Sequence, residues 1–278
     1  MQKKLIYMKT KYKIMVWFGL MLLPLFSYAQ KGNISSRIGI EMGYHEFFGN
    51  TIVPDRVRSI KSIEVYETDY HGSYYGGYEN QSEHTIERAH IGITYEALFV
   101  NNTVGILTGV RFSQLSATLD HSSKYNSFVW LLHQEEQVSN YLSIRSINQK
   151  SHYISVPLEI RVFPKRSDRF FKTYFKLGGA LNYRFSTNYK IDFLYDEMDK
   201  YANTVGNQID KPCTFSGFIS PAFGLRWGKN NYPWVNVELQ FPGFIIAKRK
   251  HAFVDPDFGF GLQFAIQIPL NKTIQGNP

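Results

Sequence analysis

The chain has 278 residues with a formal net charge of +8, one cysteine and 16% aromatic residues. The single cysteine, Cys213, excludes an intramolecular disulfide. Five lysines and no acidic residue lie in the first 29 positions, so the remainder has 26 basic and 23 acidic side chains, a net charge of +3. This small excess argues against a nucleic-acid partner.

The first 29 residues have the pattern of a secretory signal peptide. Lysines precede a short apolar run, IMVWFGLMLLPLF, and the small residues Ser27 and Ala29 follow it at the spacing of a cleavage site. The run is shorter than the roughly 20 residues of a membrane-spanning helix. We therefore predict a signal peptide over residues 1–29, with translation beginning at Met1 or Met8.

Eight segments after the signal alternate apolar and polar residues with period two, which indicates strands with two different faces. The first four are predicted over residues 36–48, 87–99, 103–114 and 151–163. Asn101 and Asn102, between the second and third, suit a tight turn that requires a positive φ. Proline is disfavoured inside a closed sheet, so Pro157 in the fourth segment predicts a bulge.

The fifth segment, Phe171–Phe185, alternates over the greatest length. Its apolar face has aromatic residues near both ends and aliphatic residues between them, whereas Lys172, Lys176 and Arg184 lie on the other face. Since a tilted strand crosses a bilayer with about 9–11 residues, the segment is long enough to span one. The apolar face suits lipid and the polar face suits a barrel interior.

The last three segments, over residues 214–227, 233–241 and 257–270, complete a pattern of alternating connections. Links after the second, fourth and sixth segments are short. The remaining links are predicted to be long loops, over residues 49–86, 115–150, 186–213 and 242–256. The fold predicted is all-β: an eight-stranded antiparallel up-and-down transmembrane β-barrel with short periplasmic turns and long extracellular loops, formed by residues 30–278 as one outer-membrane domain.

Three stretches give the chain a family resemblance: YISVPLEIRVF at residues 153–163, FKLGGALNYRF at 175–185 and FGFGLQFAIQI at 258–268. With a signal ending in YAQ, the chain resembles the PorT-like outer-membrane β-barrel proteins of Bacteroidetes. The resemblance implies a location in the outer membrane and, from one branch of that family, an accessory role in protein secretion. Residues 271–278 follow the closing strand, so the terminal aromatic residue of many other outer-membrane barrels is missing.

Side chains nearly fill the interior of an eight-stranded barrel. The charged residues predicted to point inward are Arg37, Glu41, His45, Arg88, His90, Glu96, Arg111, Glu159, Arg161, Lys172, Lys176, Arg184, Arg226 and Glu238. Cations outnumber carboxylates in this set, so we expect water or acidic loop residues to contribute to charge balance. The favoured interpretation is a network that fills and rigidifies the barrel; the alternatives are a narrow anion-selective pore and an interior ligand site.

Candidate catalytic and metal-binding patterns are weak. His45, His90 and His152 with Glu41 and Glu96 allow a metal or acid–base cluster to be drawn, but no spacing forces them together, and polar packing is favoured. The chain has no G-x-S-x-G nucleophile motif and no phosphate-binding G-x-x-x-x-G-K-[ST] motif. We predict that the protein is not an enzyme and has neither a cofactor nor a metal site.

The first long connection is rich in tyrosine, glycine and small polar residues. Its tyrosines are Tyr66, Tyr70, Tyr74, Tyr75 and Tyr78. Tyrosine gives large contact area at little entropic cost, which suits a binding surface for another envelope protein or a glycan. The alternative, which we favour, is that these rings pack on the barrel rim or rest in lipopolysaccharide.

The basic run Lys248–His251 in the last loop has two interpretations, a contact with lipid phosphates and an ordinary solvated loop. The expected partners are therefore outer-membrane lipid and lipopolysaccharide, with another envelope protein or a glycan as a further candidate. The sequence leaves the oligomeric state open.

Three functional hypotheses remain at this point. The first is a structural or partner-binding outer-membrane barrel, the second a small outer-membrane enzyme, and the third a soluble ligand carrier of lipocalin type. The third requires an apolar interior and a polar exterior, the reverse of the faces predicted here.

Overall fold

The computed structural model describes residues 35–51, 57–59, 82–99, 102–121, 128–133, 139–164, 170–229, 232–246 and 254–270. These residues form eleven strands and two short helices. The strands are β1 (Ser35–Thr51), β2 (Val57–Ser59), β3 (Ser82–Phe99), β4 (Val104–His121), β5 (Phe128–His133), β6 (Ser139–Val162), β7 (Phe171–Phe193), β8 (Phe215–Trp227), β9 (Trp234–Gln240), β10 (Gly243–Ile246) and β11 (Val254–Pro269). A 3-10 helix, Asp196–Tyr201, leads into the helix α1, Ala202–Gln208.

Eight of the strands close into a ring. Each is antiparallel to its neighbours, in the order β1–β3–β4–β6–β7–β8–β9–β11 and back to β1. The predicted eight-stranded up-and-down barrel is therefore confirmed. Among the described residues, no helix has the length and hydropathy needed to cross a bilayer.

The two ends of the barrel differ. At one end, called the turn end, only a few residues separate β3 from β4, β6 from β7 and β8 from β9. Asn102 has a φ of 64° in the first of these turns, as predicted, and Gly228 has a φ of 136° in the third. The connections that follow β1, β4, β7 and β9 lie at the opposite end, called the loop end.

The predicted faces of the strands are also confirmed. Outward residues such as Ile40, Ile93 and Leu181 are 60%, 61% and 64% exposed, whereas inward neighbours such as Glu41, Thr94 and Asn182 are buried. Because successive side chains of a strand point to opposite sides, the alternating sequence produces an apolar outer surface and a polar interior. Leu107, which breaks the alternation in the sequence, does lie inside and is fully buried.

Strands at the loop end are longer than predicted. The region expected to be a loop over residues 115–150 instead continues β4 to His121, contains β5 and begins β6 at Ser139. Similarly, β7 continues to Phe193, and the two helices follow it. The prediction was wrong because the alternation continues with its phase inverted: beyond Phe112 the apolar residues Leu115, Ala117 and Leu119 point inward.

These extensions enclose a second core, called the loop-end core. Its buried members are Phe47, Ile86, Leu115, Ala117, Leu119, Trp130, Leu142, Ile144, Ile147, Tyr153, Ala180, Ile191, Phe193, Val205, Ile209, Phe218 and Phe244. The helix α1 contributes Val205 to it. Trp130 of β5 donates a hydrogen bond of 3.0 Å from its indole Nε1 to Gln208 Oε1, which attaches the helix to the sheet.

Pro157 does not mark the predicted bulge. It pairs with Ala180 of β7, and the β6–β7 register continues unbroken before and after this pair. Its carbonyl accepts a 3.0 Å hydrogen bond from Thr108 Oγ1 of β4. The register shifts of the β6–β7 pair lie instead at Ile144/Ser146 and His152/Tyr153. The side-chain hydroxyl of Thr108 thus supplies a link to β4 beside a residue that has no N–H to donate.

Candidate functional site

The candidate site is the polar interior of the barrel. Four glutamates and four cations there form a connected set, called the glutamate network: Glu41, Glu96, Glu159, Glu238, Arg111, Arg161, Lys176 and Arg226. All eight are at most 3% exposed. Strand alternation explains their position, because each lies on the inward parity of its strand.

Arg111 forms the loop-side part of the network. Its guanidinium pairs with Glu41 through Nε and donates to Glu159 Oε1 over 2.6 Å through Nη2. The second oxygen of Glu159 lies 3.3 Å from Lys176 Nζ. Three different strands, β1, β4 and β6, are therefore joined by one arginine.

Glu238 of β9 is the most connected carboxylate. It accepts hydrogen bonds from Arg161 Nη2 at 2.7 Å and from the hydroxyl of Tyr174 at 2.6 Å, and it also pairs with Lys176. Gln240 Nε2 donates to its other oxygen over 2.8 Å. A carboxylate with this many charge-assisted bonds fixes the positions of four other side chains, which come from β6, β7 and β9.

Glu96 forms the turn-side part of the network. It lies 3.1 Å from Arg161 Nη1 and 2.8 Å from Arg226 Nη2. The guanidinium carbon of Arg226 lies 4.2 Å from the centroid of the Trp234 ring, a cation–π arrangement. The apolar cluster of Leu98, Phe163, Tyr174 and Trp234 occupies the interior at this level.

Charge balance in the network is internal, since four carboxylates face four cations. The other predicted cations lie outside it. The guanidinium carbon of Arg37 lies 3.2 Å from the centroid of the Trp234 ring, and Lys172 Nζ lies 5.4 Å from the same centroid. Arg184, near the loop end, donates to the carbonyl of Pro212 at 2.9 Å and to Thr187.

Arg88 is held by neutral groups at the boundary with the loop-end core. Its Nη2 lies within hydrogen-bond distance of Ser113, Ser155 and Asn182, at 3.1, 3.3 and 3.2 Å. On the other side, its guanidinium carbon is 4.3 Å from the centroid of the Phe218 ring. Arg88 thus contacts both the polar interior and the loop-end core.

The structure assembles only part of the histidine and glutamate cluster drawn from the sequence. His45 and His90 stack with ring centroids 5.3 Å apart, and His45 Nε2 is 2.8 Å from Gln240 Oε1. His152 lies on the outer face, against Phe112 and Phe185. Within the described part of the chain, no group of three or more His, Cys, Asp or Glu side chains is arranged to hold a metal ion.

The prediction from sequence missed the neutral members of the interior. Tyr174, Gln240 and Gln263 all bond to the network, and Gln263 Nε2 donates to Glu41 Oε2 over 2.9 Å. Their inward parity was the available signal, but only charged residues were selected. Tyr174 also depends on Gly224, where a Cβ atom would lie 2.2 Å from Tyr174 Cζ.

Several predicted features fall outside the described residues. These are the signal peptide over residues 1–29, the tyrosine-rich stretch from Tyr66 to Tyr78 and the basic run Lys248–His251. They stay predictions.

The interior as described is filled rather than open. The glutamate network crosses the middle of the barrel, the Trp234 cluster lies at the turn end, and the loop-end core lies at the other. Such an arrangement can rigidify the barrel, because Glu96, Glu159 and Glu238 each link cations from different strands. A path for solutes would require these side chains to move.

Comparisons with known proteins add a fold neighbour but no family. No protein-family model matches the sequence, and no curated protein matches it. Among solved structures, the outer membrane protein OprG from Pseudomonas aeruginosa aligns with a TM-score of 0.35 and 11% identity, over 85% of this chain and 98% of that one. At this level of similarity, membrane insertion must be inferred from the surface of the barrel itself.

Proposed function

We propose that the protein is an integral outer-membrane β-barrel with a structural or partner-binding role. The observation that carries the proposal is the continuous band of exposed apolar side chains around the ring, called the apolar belt, combined with a polar interior. Ile40, Ile93, Val110, Leu181 and Ile266 are each more than half exposed. Water makes such a surface costly, whereas a bilayer solvates it.

The dimensions of the apolar belt fit a bilayer. On β11 it extends from Phe258 to Ile268, with an exposed apolar side chain at every second residue. Ten residues rise about 33 Å along a strand, or about 25 Å along the axis at a tilt of about 40°. This is about the height of the outward apolar band in known outer-membrane barrels.

Aromatic pairs on the outer face mark both edges of the belt. Phe171 and Trp227 lie 5.5 Å apart near the turn end, and Phe48 lies 5.2 Å from Phe258 near the loop end. In outer-membrane barrels, aromatic side chains are concentrated at the two membrane interfaces, at the edges of the apolar band. With the turn end in the periplasm, the loop end faces outward from the cell.

Heat-modifiability of the purified protein tests this proposal. Unboiled and boiled samples from the outer-membrane fraction are compared on a denaturing gel, and we expect the unboiled barrel to migrate differently. A protein that is soluble in the periplasm and shows no mobility shift would contradict membrane insertion. That outcome would favour the lipocalin-type carrier, although the polar interior of the described barrel argues against it.

The filled interior supports a role other than conduction. We expect the protein in planar bilayers to show no steady channel openings, because the glutamate network and the apolar groups on either side of it occupy the lumen. Steady openings with anion preference would contradict this and favour the narrow-pore alternative.

We propose no acid–base role for the four buried carboxylates of the network, because all four are engaged by cations. We propose instead that residues 49–86 contribute to recognition of a partner. The PorT-like resemblance supports an accessory role in protein secretion as the finer form of this proposal. Deletion of residues 66–78 should then reduce partner recovery in cross-linking and pull-down experiments, while the mobility shift is retained.

A further inference from the structure

A polar groove crosses the outer face of β4, β6 and β7 just beyond the apolar belt. The groove is open to solvent on one side and has a volume of about 450 Å³. The residues that line it are Thr118, Ser146, Asn148, Lys150, Asn188, Tyr189, Lys190 and Asp192. Its position is notable because the outer surface changes from apolar to polar at this level.

The strand register shows how abrupt this change is. His152 pairs with Ser186, and its ring stacks against Phe112 and Phe185 at centroid distances of 5.8 and 6.0 Å. One step further along β6, Lys150 pairs with Asn188, and in the next step Asn148 pairs with Lys190. The two lysines therefore lie about 5–10 Å beyond the aromatic edge along the barrel axis.

This depth corresponds to the headgroup region of a membrane. The polar region on each side of a bilayer core is about 5–8 Å thick. A molecule whose acyl chains lie against Phe112 and Phe185 would place its headgroup in the groove. The long-loop side of the belt is the outer leaflet in the proposed orientation.

The groove offers groups that suit phosphate and sugar. Neither Lys150 nor Lys190 forms an ion pair with a carboxylate among the described residues, whereas Asp192 lies 3.6 Å from Arg145. The amide of Asn148 donates to Thr118 Oγ1 over 2.6 Å, but its buried Oδ1 has no partner in the described part of the chain. Two cations thus flank a hydrogen-bond acceptor that is not satisfied within the groove.

We propose that this groove binds the phosphorylated headgroup of an outer-leaflet glycolipid of the lipid A type. Lys150 and Lys190 contact phosphate oxygens, as basic side chains beside a membrane do. Asn148 and Asn188 supply hydrogen bonds to sugar hydroxyls, and Phe112 and Phe185 contact the acyl chains. The inference rests on the proposed membrane insertion and its orientation.

Binding of diphosphorylated lipid A to the detergent-solubilised full chain tests the inference, with native mass spectrometry as the readout. We expect binding to the unmodified protein, and binding weaker by on the order of tenfold or more for the double variant Lys150→Glu/Lys190→Glu. Dephosphorylated lipid A should bind the unmodified protein as weakly as diphosphorylated lipid A binds the variant.

The matched control is Lys200→Glu/Lys211→Glu, which makes the same charge change at exposed positions outside the groove. This control should bind diphosphorylated lipid A like the unmodified protein. Equal loss in both double variants would overturn the groove as the site. Displacement by millimolar inorganic phosphate, or equal binding of phosphatidylglycerol, would overturn its specificity for a phosphorylated glycolipid.

The gel mobility of each variant separates this inference from the proposal of membrane insertion. If the charge-reversal variant loses its heat-dependent shift, Lys150→Gln/Lys190→Gln replaces it and should show the same weakened binding. A protein that inserts and shifts on heating but binds no lipid A overturns the groove alone. Failure of the unmodified protein to insert overturns the function on which the groove depends.

Discussion

The middle of the barrel and its loop end differ in where the same strands place their apolar side chains, which point outward in the middle and inward at the loop end. Between Ile38 and Tyr44, β1 places apolar groups outside, and the buried inward residues of the same strand include Arg37, Glu41 and His45. On β4, beyond Phe112, the apolar residues point inward to the loop-end core, and Asp120 is exposed outside. With the barrel inserted as proposed, burial follows the local solvent: lipid accepts the apolar face in one region, and water accepts the polar face in the other.

The largest effect should come from breaking the interior network. Replacing Glu238 with alanine leaves Arg161 and Lys176 without their closest carboxylate in a buried site. We expect a loss of about 3–5 kcal/mol in the free energy of unfolding, measured by urea titration in lipid vesicles. Glu238→Gln, which keeps the size and some hydrogen bonds, should lose less, and the exposed Glu197→Ala should lose almost nothing. A loss for Glu238→Ala no larger than for Glu197→Ala would contradict a network that stabilises the barrel.

The loop-end core should show the energetics of an ordinary protein interior. Leu119→Ala removes a fully buried side chain and should cost about 2–5 kcal/mol, because a cavity remains. The same change on the lipid-facing residue Leu181, which is 64% exposed, creates no cavity in the protein and should cost clearly less. Urea titration compares both, and limited proteolysis detects local opening at the loop end. Equal costs would indicate that the two regions do not differ as described.

A third prediction compares one new charge at two depths of the same strand. Ile93 and Thr85 both lie on the outer face of β3, Ile93 within the apolar belt and Thr85 beyond it. Ile93→Arg should cost about 2–4 kcal/mol in vesicles, whereas Thr85→Arg should cost about 0–1 kcal/mol. If the two substitutions cost the same, the belt boundary inferred from the aromatic side chains is misplaced.

The smallest effect concerns an ion pair outside the barrel interior. Arg145 and Asp192 lie 3.6 Å apart with half-exposed side chains at the loop end. Solvent screens this pair, so a double-mutant cycle with Arg145→Ala and Asp192→Ala should give a coupling energy below about 1 kcal/mol. A coupling energy as large as the loss in the free energy of unfolding for Glu238→Ala would contradict the contrast between the solvent-exposed loop end and the buried interior.

The sequence by itself determined the ring of strands and which side chains point inward. Alternation decides this locally, because a residue's parity fixes its face once the strand exists. Fourteen charged residues were assigned to the interior, and the structure buries twelve of them, leaving Lys172 and Arg184 half-buried near the two ends. The neutral partners Tyr174 and Gln240 were also readable from parity.

Only the tertiary structure decided which charged side chains form ion pairs. It also decided where along each strand the outward face stops being apolar, and which elements cover the loop end of the barrel. Ion pairs such as Arg226 with Glu96 join residues 130 positions apart, and no local pattern encodes that contact. The phase inversion after Phe112 was visible in the sequence, but its meaning depends on the helix α1 and on Trp130, which cover the inward face. Parity is a property of one strand, whereas the solvent on each face is set by everything packed around it.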